Sequence, residues 1–421
     1  MNPLDLTYAV GAAVLAPVWA RKARGGWKER LGHVEALPPP SPDRPRLLLH
    51  AVSVGEVNAI RQLVPMLRQR GIEVVVATGT DTGLERARTL FGVGVGGGGG
   101  GAVVRYPLDF SRAVRRFLDA VSPSAVGLVE LEVWPNFIAE CTRRAVPVGV
   151  INGRLSERSF KGYKRIRPFM AKSFASLAFA AVQDDDYAAR FRAMGTPTDR
   201  VFVTDTMKWD AAVMADDVAG ADALAREMGI DRTRPLIVGG STGPDEEALL
   251  VRACPPGVQL LCAPRKVERF AEAAAAMPGC VRRSARLGPG VAGAGGPGRF
   301  LLDTIGELRA AYALADVVVM GRSFGKLFGS DPIEPIALGK ATVIGPSFKD
   351  FQTVVRTLSG VGGLEVVGPE ELPRVLAELL ADPARRARMA GAGRACIRQR
   401  MGATARHADL LEGLVRAAPA G

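Results

Sequence analysis

Short apolar runs alternate with stretches of helical spacing along most of the chain. Six such runs occur between residues 46 and 183, and their residues are apolar at consecutive positions, which is typical of strands buried on both faces. These predicted strands are 47–54, 73–78, 103–106, 125–131, 146–152 and 177–182. The βα alternation predicts an α/β fold with a parallel sheet and helices on both of its faces.

A second series of the same kind begins near Pro235. Its predicted strands are 235–241, 258–263, 300–303, 316–321 and 341–345. The chain is therefore predicted to hold two Rossmann-like domains in tandem. The predicted divisions are 1–30 for a membrane-associated segment, 31–205 and 233–400 for the two domains, 206–232 for a linker and 401–421 for a C-terminal helix. Neither first strand is followed directly by GxGxxG, which disfavours a dinucleotide dehydrogenase.

Residues 4–20 are mostly apolar and are followed by a cluster of arginines and lysines. A secretory signal has its positive charges before the apolar run, whereas here they come after it. The positive-inside rule then keeps the rest of the chain in the cytoplasm. The run contains Asp5 and Pro17, so a spanning anchor and an interfacial helix are both open, and a buried amphipathic core helix is the alternative to membrane attachment.

The overall charge points to an anionic partner. Lys and Arg exceed Asp and Glu by 55 − 43, which gives a net charge of +12. A phospholipid surface, a phosphorylated substrate and nucleic acid all fit this charge. Aromatic residues make up only 6% of the chain and no nucleic-acid-binding module is recognisable, which disfavours nucleic acid. The five cysteines form no CxxC and there are three histidines, so neither a zinc site nor a disulfide framework is predicted.

One carboxylate follows the first strand directly. Gly55 permits a tight turn, and Glu56 stands where the next helix should begin. Ligands of open α/β sheets bind at the carboxyl ends of the strands, so Glu56 is a candidate general base. The alternative is an acidic residue in the first turn of a helix, where the helix dipole favours it.

Polar residues also follow strands of the second series. Arg265 and Lys266 come after strand 258–263 and could hold a phosphate or a carboxylate. Ser241 and Thr242 precede a predicted helix with Pro244 at its first position, where free backbone amides favour an anion. Plain N-capping is the alternative there, and the acidic residues 245–247 oppose an anion site. The other acidic run, 184–186, contains a DxD motif, which can hold Mg²⁺ in some proteins. Capping of the helix that follows explains this run without a metal.

The role of Glu334 depends on where the helix around it begins. Asp331 and Glu334 have the spacing of a capping box, but that register would place Pro335 where its missing amide forfeits a helical hydrogen bond. A helix that starts at Pro335 and ends at Gly339 avoids this loss and releases Glu334 to bind a ligand.

Residues 154–172 contain seven basic residues against one acid. They form either a solvated face or a surface for lipid headgroups and phosphates.

Several motifs follow the ends of predicted strands, namely HAVSVGE (50–56), VELEVWPN (129–136), NGRLSERS (152–159), STG with EE (241–247), APR (263–265), and EPIALGK with IGP (334–346). They occur in the order found in Kdo transferases, which attach 3-deoxy-D-manno-oct-2-ulosonic acid (Kdo) to lipid A precursors. The chain resembles this family over nearly its whole length, including the apolar amino-terminal segment and its basic flank.

The resemblance implies a GT-B fold with an interdomain cleft, an N-terminal acceptor domain and a C-terminal domain for CMP-Kdo. It implies inverting transfer to a lipid A precursor (lipid IVA) in lipopolysaccharide core biosynthesis, with no metal or cofactor, on the cytoplasmic face of the inner membrane. Glu56 matches the catalytic base, and Glu130 matches a second active-site acid unless it is merely paired with a basic neighbour. The remaining expected contacts are Ser53, Gly55, Arg154 and Arg158 for the acceptor, and Ser241, Thr242, Arg265, Lys266, Lys208, Ser323, Asp331 and, on the ribose, Glu334 for the donor.

Three donor-side motifs depart from the family pattern. FGSDPIEP (328–335) stands where relatives commonly have GGHNPLEP, PRK (264–266) where they have PRH, and DTMK (205–208) where they have GNLK. Each exchange alters hydrogen-bonding groups or charge, and Asp331 adds a negative charge where an anionic donor is expected. Two alternatives follow: another membrane-associated GT-B transferase with a different nucleotide sugar, and a non-catalytic, basic, membrane-bound binding protein.

Overall fold

A computed structural model describes residues 25–41, 43–92, 101–285 and 298–418, together with Asp5 and Tyr8. The chain divides into two compact units, residues 1–210 with 402–421, and residues 211–401. Most of the predicted membrane segment lies outside the described residues. Within the described part, no helix is both long enough and apolar enough to cross a bilayer.

The first unit is built on a parallel sheet of seven strands in the order β3-β2-β1-β4-β5-β6-β7. The strands are β1 Arg46–His50, β2 Glu73–Thr78, β3 Val103–Arg105, β4 Ala125–Val129, β5 Val148–Gly153, β6 Phe179–Val182 and β7 Val201–Val203. His50 at the end of β1 pairs with Ala77 of β2 and Leu128 of β4. The carboxyl ends of these three central strands therefore lie side by side.

Helices cover both faces of this sheet. They are Trp27–Arg30, Val54–Ala59, Leu63–Gln69, Asp81–Phe91, Ser111–Val121, Pro135–Arg143, Glu157–Arg165, Arg167–Ala175, Asp185–Met194 and Ala403–Arg416, with a 3-10 turn at Thr198–Arg200. Leu48 and Val126 belong to one apolar core and Leu47 and Leu49 to another. Because neighbouring residues of a strand point to opposite faces, each face of the sheet has its own core.

The C-terminal helix Ala403–Arg416 packs on β4, β5 and the helix Leu63–Gln69 of the first unit. Leu411 and Val415 of this helix are buried in one of the two apolar cores of the first unit. A Cβ at Gly127 would lie 3.0 Å from a methyl carbon of Leu411, so the glycine allows the helix to approach the sheet closely. The chain thus returns to the first unit after it has formed the second.

The second unit has the same design, with strand order β10-β11-β9-β8-β12-β13-β14, all parallel. Its strands are β8 Leu236–Thr242, β9 Gln259–Pro264, β10 Val281–Arg282, β11 Arg299–Leu301, β12 Val317–Met320, β13 Ala341–Ile344 and β14 Glu365–Val366. Its helices are Ala221–Met228, Glu246–Ala253, Phe270–Ala276, Leu308–Leu314, Ile333–Ala337, Gln352–Gly360, Leu372–Ala381 and Pro383–Arg400, with 3-10 turns at Val267–Arg269, Arg283–Ala285 and Lys349–Phe351.

The structure confirms every strand predicted from the apolar runs. The first is shorter than predicted, since β1 ends at His50 and a helix has begun by Val54. Strands β7, β10 and β14 were not predicted. Each is only two or three residues long and partly exposed, so none has the apolar run of four or more residues that marks a buried strand.

The segment 206–232, predicted as a linker, is divided between the two units at residue 210. Met207 and Trp209 are buried, and a 3-10 turn spans Trp209–Ala211. The helix Ala221–Met228 packs on the helix Leu308–Leu314 of the second unit.

Candidate active site

Glu56 and Glu130 meet where the strand order of the first sheet reverses. Strands β1, β2 and β3 run outward in one direction, and β4 returns to the other side of β1. Ligands of open α/β sheets bind in the crevice at such a switch point, beyond the carboxyl ends of the strands. Glu56 follows β1 and Glu130 follows β4, so the sheet places both carboxylates at this crevice.

The Glu56 carboxylate is held by two hydrogen bonds. Its Oε2 accepts from the backbone N–H of Val52 at 2.8 Å, and its Oε1 accepts from the Ser53 hydroxyl at 2.8 Å. Ser53 is the N-cap of the helix Val54–Ala59 and accepts in turn from the Glu56 amide at 3.4 Å. The side chain therefore has one defined orientation. Glu56 lies in the first turn of a helix, as its structural explanation expects, and its role as a general base stays a prediction.

The Val52 turn that supports Glu56 is braced by the next βα unit. Val52 accepts a hydrogen bond from the Thr80 hydroxyl at 2.9 Å. Thr80 is also the N-cap of the helix Asp81–Phe91. A Cβ at Gly83 would lie 2.8 Å from the Val52 carbonyl oxygen, so only glycine lets this helix start so near the turn.

Burial is the largest cause and the negative charge of Glu130 the second of a rise in the pKa of Glu56 to about 7. The hydrogen bonds from Val52 and Ser53 favour the charged form but do not outweigh these two causes. A carboxylate with this pKa is a far stronger base than an ordinary glutamate and is still substantially ionised at neutral pH.

Glu130 and Glu132 form an acidic pair at the end of β4. Glu130 has φ of 65°, a left-handed backbone that is unfavourable for a side chain of this size. The neighbouring Arg154 is connected to Glu130 through the backbone, since its N–H donates to the Glu130 carbonyl oxygen. Glu132 accepts from the Trp134 indole N–H at 2.7 Å, and burial raises its pKa.

His50 forms the buried floor beneath these acids. Its ring stacks on Tyr106 with centroids 3.5 Å apart and planes within 10°. Its Nδ1 lies 3.1 Å from the Ala77 carbonyl oxygen, and its Nε2 lies 3.9 Å from Glu132. Burial lowers the pKa of His50 to about 3, so the ring is neutral and Nδ1–H donates to Ala77. His50 is thus a packing and orienting group at neutral pH.

The loop after β5 is tied to the acidic pair and to the C-terminal helix. The Arg154 N–H donates to the Glu130 carbonyl oxygen at 3.2 Å. Asn152, with φ of 50°, donates its N–H to His407 Nε2 at 2.8 Å. The pKa of the fully buried His407 is lowered to about 4 by burial, so its ring is neutral and can accept this bond.

The four residues expected to contact the acceptor have different surroundings in the structure. The Ser53 hydroxyl is engaged with Glu56. Gly55 lies inside the helix Val54–Ala59 without a positive φ, so the predicted tight turn at this residue is wrong. Of the described atoms, a Cβ there would meet only Ser53 Oγ, at 3.7 Å. Arg154 is half-buried beside Glu130, and Arg158 is exposed on the next helix.

The second sheet also reverses its strand order, between β8 and β12. Arg265 and Lys266 are exposed directly after β9. Thr242 is fully buried and its hydroxyl donates to Glu247. Ser323 is also fully buried, where its hydroxyl donates to Met320 O and accepts from the Gly345 amide. In this conformation the two buried hydroxyls support loops and do not reach the surface.

The predicted helix start at Pro244 is wrong, because the helix begins at Glu246. Asp245 precedes it with φ of 65°. Glu246 and Glu247, expected to oppose an anion at the surface, are turned inward and are 4% and 1% exposed. Ser241 is nearly buried, with φ of 55° at an irregularity of β8. Lys208 belongs to the first unit.

The predicted helix start at Pro335 is also wrong, because the helix spans Ile333–Ala337. Pro335 is then the third helical residue, whose amide has no partner within a helix, so its missing N–H costs nothing. Glu334 is half-buried in this first turn, 3.5 Å from Arg309, and Asp331 accepts from the Ile333 amide at 3.1 Å. The predicted helix end is confirmed, since Gly339 has φ of 72° and donates its N–H to Ile336.

Sequence reasoning missed His50, Glu132, Trp134, His407 and Glu246. Glu132 and Trp134 had a usable signal, because both lie in the VELEVWPN motif directly after β4 and next to Glu130. His407 and Glu246 had no such signal, since Asn152 is 255 residues from His407, and three of the four amides that bind Glu246 are 76 to 78 residues away. The prediction that Asp184 caps a helix is confirmed by its 2.9 Å bond from the Tyr187 amide.

Comparison with solved structures addresses the fold. The chain is similar to Anabaena HepE in complex with UDP (TM-score 0.60, 13% identity, covering 88% of this chain and 99% of that one). It is also similar to the UDP-GlcNAc 2-epimerase of Neisseria meningitidis (TM-score 0.54, 12% identity, covering 87% and 100%). At these identities the likeness concerns the fold alone, and together with the two parallel sheets it confirms the predicted GT-B fold.

Comparison of sequences addresses the family. Residues 25–211 match the family model described as 3-deoxy-D-manno-octulosonic-acid transferase (kdotransferase). The chain is 33% identical to the 3-deoxy-D-manno-octulosonic acid transferase of Bordetella pertussis, over 96% of both chains. It is 29% identical to that of Haemophilus influenzae, over 98% of this chain and 95% of the relative. The chain therefore belongs to the family of 3-deoxy-D-manno-octulosonic acid transferases.

Proposed function

We propose that the protein transfers Kdo from CMP-Kdo to a lipid A precursor with inversion at the anomeric carbon, at the cytoplasmic face of the inner membrane. The observation that supports this proposal most directly is the Glu56 carboxylate, fixed at the switch point of the first sheet with a pKa of about 7. A sugar hydroxyl is too weak an acid to attack unaided, so the transfer needs a positioned base.

In the proposed reaction Glu56 takes the proton of the acceptor hydroxyl. The hydroxyl oxygen forms a bond to the anomeric carbon of Kdo while the bond from that carbon to CMP breaks, and CMP leaves with the electron pair. Glu130 supports the base, since its charge is the second cause of the raised Glu56 pKa. Arg154 reaches the same site through its backbone bond to Glu130.

The donor is proposed to bind at the carboxyl ends of the second sheet. Arg265 and Lys266 are exposed there and suit the phosphate and carboxylate groups of CMP-Kdo. Glu334 keeps part of its carboxylate accessible, which suits ribose hydroxyls. The departures at 205–208, 264–266 and 328–335 favour no specific other sugar, so CMP-Kdo is the donor proposed for this family member.

A direct assay tests the function. Purified full-length protein is mixed with freshly generated CMP-Kdo and tetraacylated lipid A precursor, and the lipid is followed by mass spectrometry. We expect the mass of the lipid to increase by one or more Kdo residues. A product formed only from another nucleotide sugar would select the first alternative function, and no product from any of them would select the non-catalytic binding protein.

The pH dependence tests the role of Glu56. Because the base must be deprotonated, kcat/KM is expected to fall about tenfold per pH unit below the Glu56 pKa of about 7. Glu130→Gln removes a charge that raises this pKa, so the fall of kcat/KM with decreasing pH should begin at a lower pH in this variant. The measurement is kcat/KM between pH 5.5 and 8.5 for both proteins. If kcat/KM of Glu130→Gln fell over the same pH range as that of the wild type, the assigned interaction between the two carboxylates would be contradicted.

The first unit also presents a surface suited to an anionic membrane. The helix Glu157–Arg165 has no buried residue. Ile166 and Phe169 follow it with exposures of 47% and 72%. Exposed basic residues surround them, namely Arg158, Lys161, Lys164, Arg165 and Arg167. Apolar side chains among basic ones are typical of contact with acidic lipid headgroups.

Replacement of both apolar side chains by Ser tests this surface. Ile166→Ser with Phe169→Ser should weaken binding to vesicles that contain phosphatidylglycerol by about tenfold, because two side chains lose their insertion into the interface. The control is Ile305→Ser in the second unit, where Ile305 is 71% exposed. The measurement is vesicle sedimentation, and equal binding by the double variant and the control would refute the assigned surface.

A further inference from the structure

Glu246 occupies a cradle of backbone amides in the second unit. Its Oε2 accepts from the N–H groups of Gly243 and Arg322, each at 2.6 Å. Its Oε1 accepts from Ser323 at 2.8 Å and from Phe324 at 3.0 Å. One buried carboxylate thus binds four backbone donors, three of which are consecutive residues after β12.

This cradle has the form of a site for an external anion. Consecutive N–H groups that converge on one point bind phosphate in many proteins, and a left-handed residue commonly shapes the turn. Arg322 has φ of 59°. The cradle joins the ends of β8 and β12, which is the switch point where an anionic ligand of this fold is expected. A Cβ at Gly321 would lie 2.5 Å from the Ser241 carbonyl oxygen, so glycine lets the two loops meet.

The charge of Glu246 is stabilised differently from that of its buried neighbour Glu247. Glu247 lies on the same helix, and its carboxylate binds Arg269 at 3.0 and 2.8 Å as well as the Thr242 hydroxyl. Its charge is therefore matched by a cation. Among the residues that the structure describes, no cation pairs with the Glu246 carboxylate, which instead accepts hydrogen bonds from backbone N–H groups of a loop at the proposed donor edge.

We propose that Glu246 is the positioning residue of the donor site, an internal anion that fixes the loop 322–324 and fills the amide cradle at the switch point. This inference rests on the proposed function. Since all four amides are engaged by Glu246, the donor phosphate is bound by side chains at the same edge, such as Arg265 and Lys266, and not by this cradle.

Kinetics of two matched variants test the proposal. In Glu246→Gln an amide NH₂ replaces one acceptor oxygen and faces backbone donors, so the loop moves and KM for CMP-Kdo should rise about tenfold or more. KM for the lipid acceptor should change less than about twofold, because the acceptor site is built on the other unit. Glu247→Gln is the control. It should lower the melting temperature through the lost Arg269 pair while KM for CMP-Kdo changes little.

Chemical rescue provides a test that does not depend on activity. Glu246→Ala leaves a space lined by four amides, which formate fits in size and charge. Formate should raise the melting temperature of Glu246→Ala and lower its KM for CMP-Kdo toward the wild-type value, and should do neither for Glu247→Ala. An unchanged donor KM in Glu246→Gln, or no effect of formate on Glu246→Ala, would overturn the proposal. If the wild type used no CMP-Kdo, the proposed function would fail while the melting data still tested the cradle.

Discussion

Glu56→Gln is expected to lower kcat for Kdo transfer by about 10²–10⁴-fold, the contribution typical of a positioned general base. The substituted amide oxygen can still accept from the Val52 amide, so the side chain keeps its place while it loses its ability to take a proton. KM for CMP-Kdo should change little. Mass spectrometry of the lipid product, combined with single-turnover rates, measures the effect.

Stability separates this prediction from simple misfolding. The pKa of Glu56 is raised in the folded protein, so its ionised form is disfavoured by folding at pH values above about 7. A neutral Gln removes this cost, and Glu56→Gln should melt at or above the wild-type temperature at pH 8. Glu85→Gln, an exposed acid of the same unit, is the activity control. Undiminished transfer by Glu56→Gln would exclude Glu56 as the base.

His407→Ala is expected to reduce the stability of the protein by about 2–4 kcal/mol and to reduce transfer as well. It removes a fully buried ring and leaves the Asn152 amide without its 2.8 Å acceptor. Asn152 lies near the end of β5, and the Arg154 N–H just after this strand donates to the Glu130 carbonyl oxygen, so the damage should reach the acidic pair. Chemical denaturation and kcat together measure the two effects. His33→Ala is the control, because His33 is exposed and contacts Arg116 at the surface.

A pH series tests the assigned charge state of His407. Its pKa falls from 6.5 to about 4 on folding, so the unfolded chain binds a proton in that interval and the folded chain does not. The stability that depends on neutral His407 is therefore present above pH 6.5 and is lost as the pH falls toward 4. The difference in stability between wild type and His407→Phe, which fills most of the space, should narrow over this interval. A constant difference would contradict a neutral, buried His407.

Much of the candidate site could be predicted from local sequence. Glu56 and Glu130 each follow a strand whose apolar run is unmistakable, and the parallel sheet then fixes which edge they occupy. The first residues of two helices could not be predicted in this way. Both Pro244 and Pro335 were assigned to a first helical position, but proline is also compatible with the preceding turn and with the third helical residue. Local preference does not distinguish these registers, and packing decides among them.

The sequence by itself determined the two parallel sheets, since a strand buried on both faces needs apolar residues at consecutive positions. It also placed Glu56, the proposed general base, just after the end of a strand. Only the tertiary structure decided what the other buried polar groups do. Glu246 turns inward because amides 76 to 78 residues away converge on it, and His407 meets Asn152 across 255 residues. A buried polar group must find a hydrogen-bonding partner, and folding, not local sequence, supplies that partner.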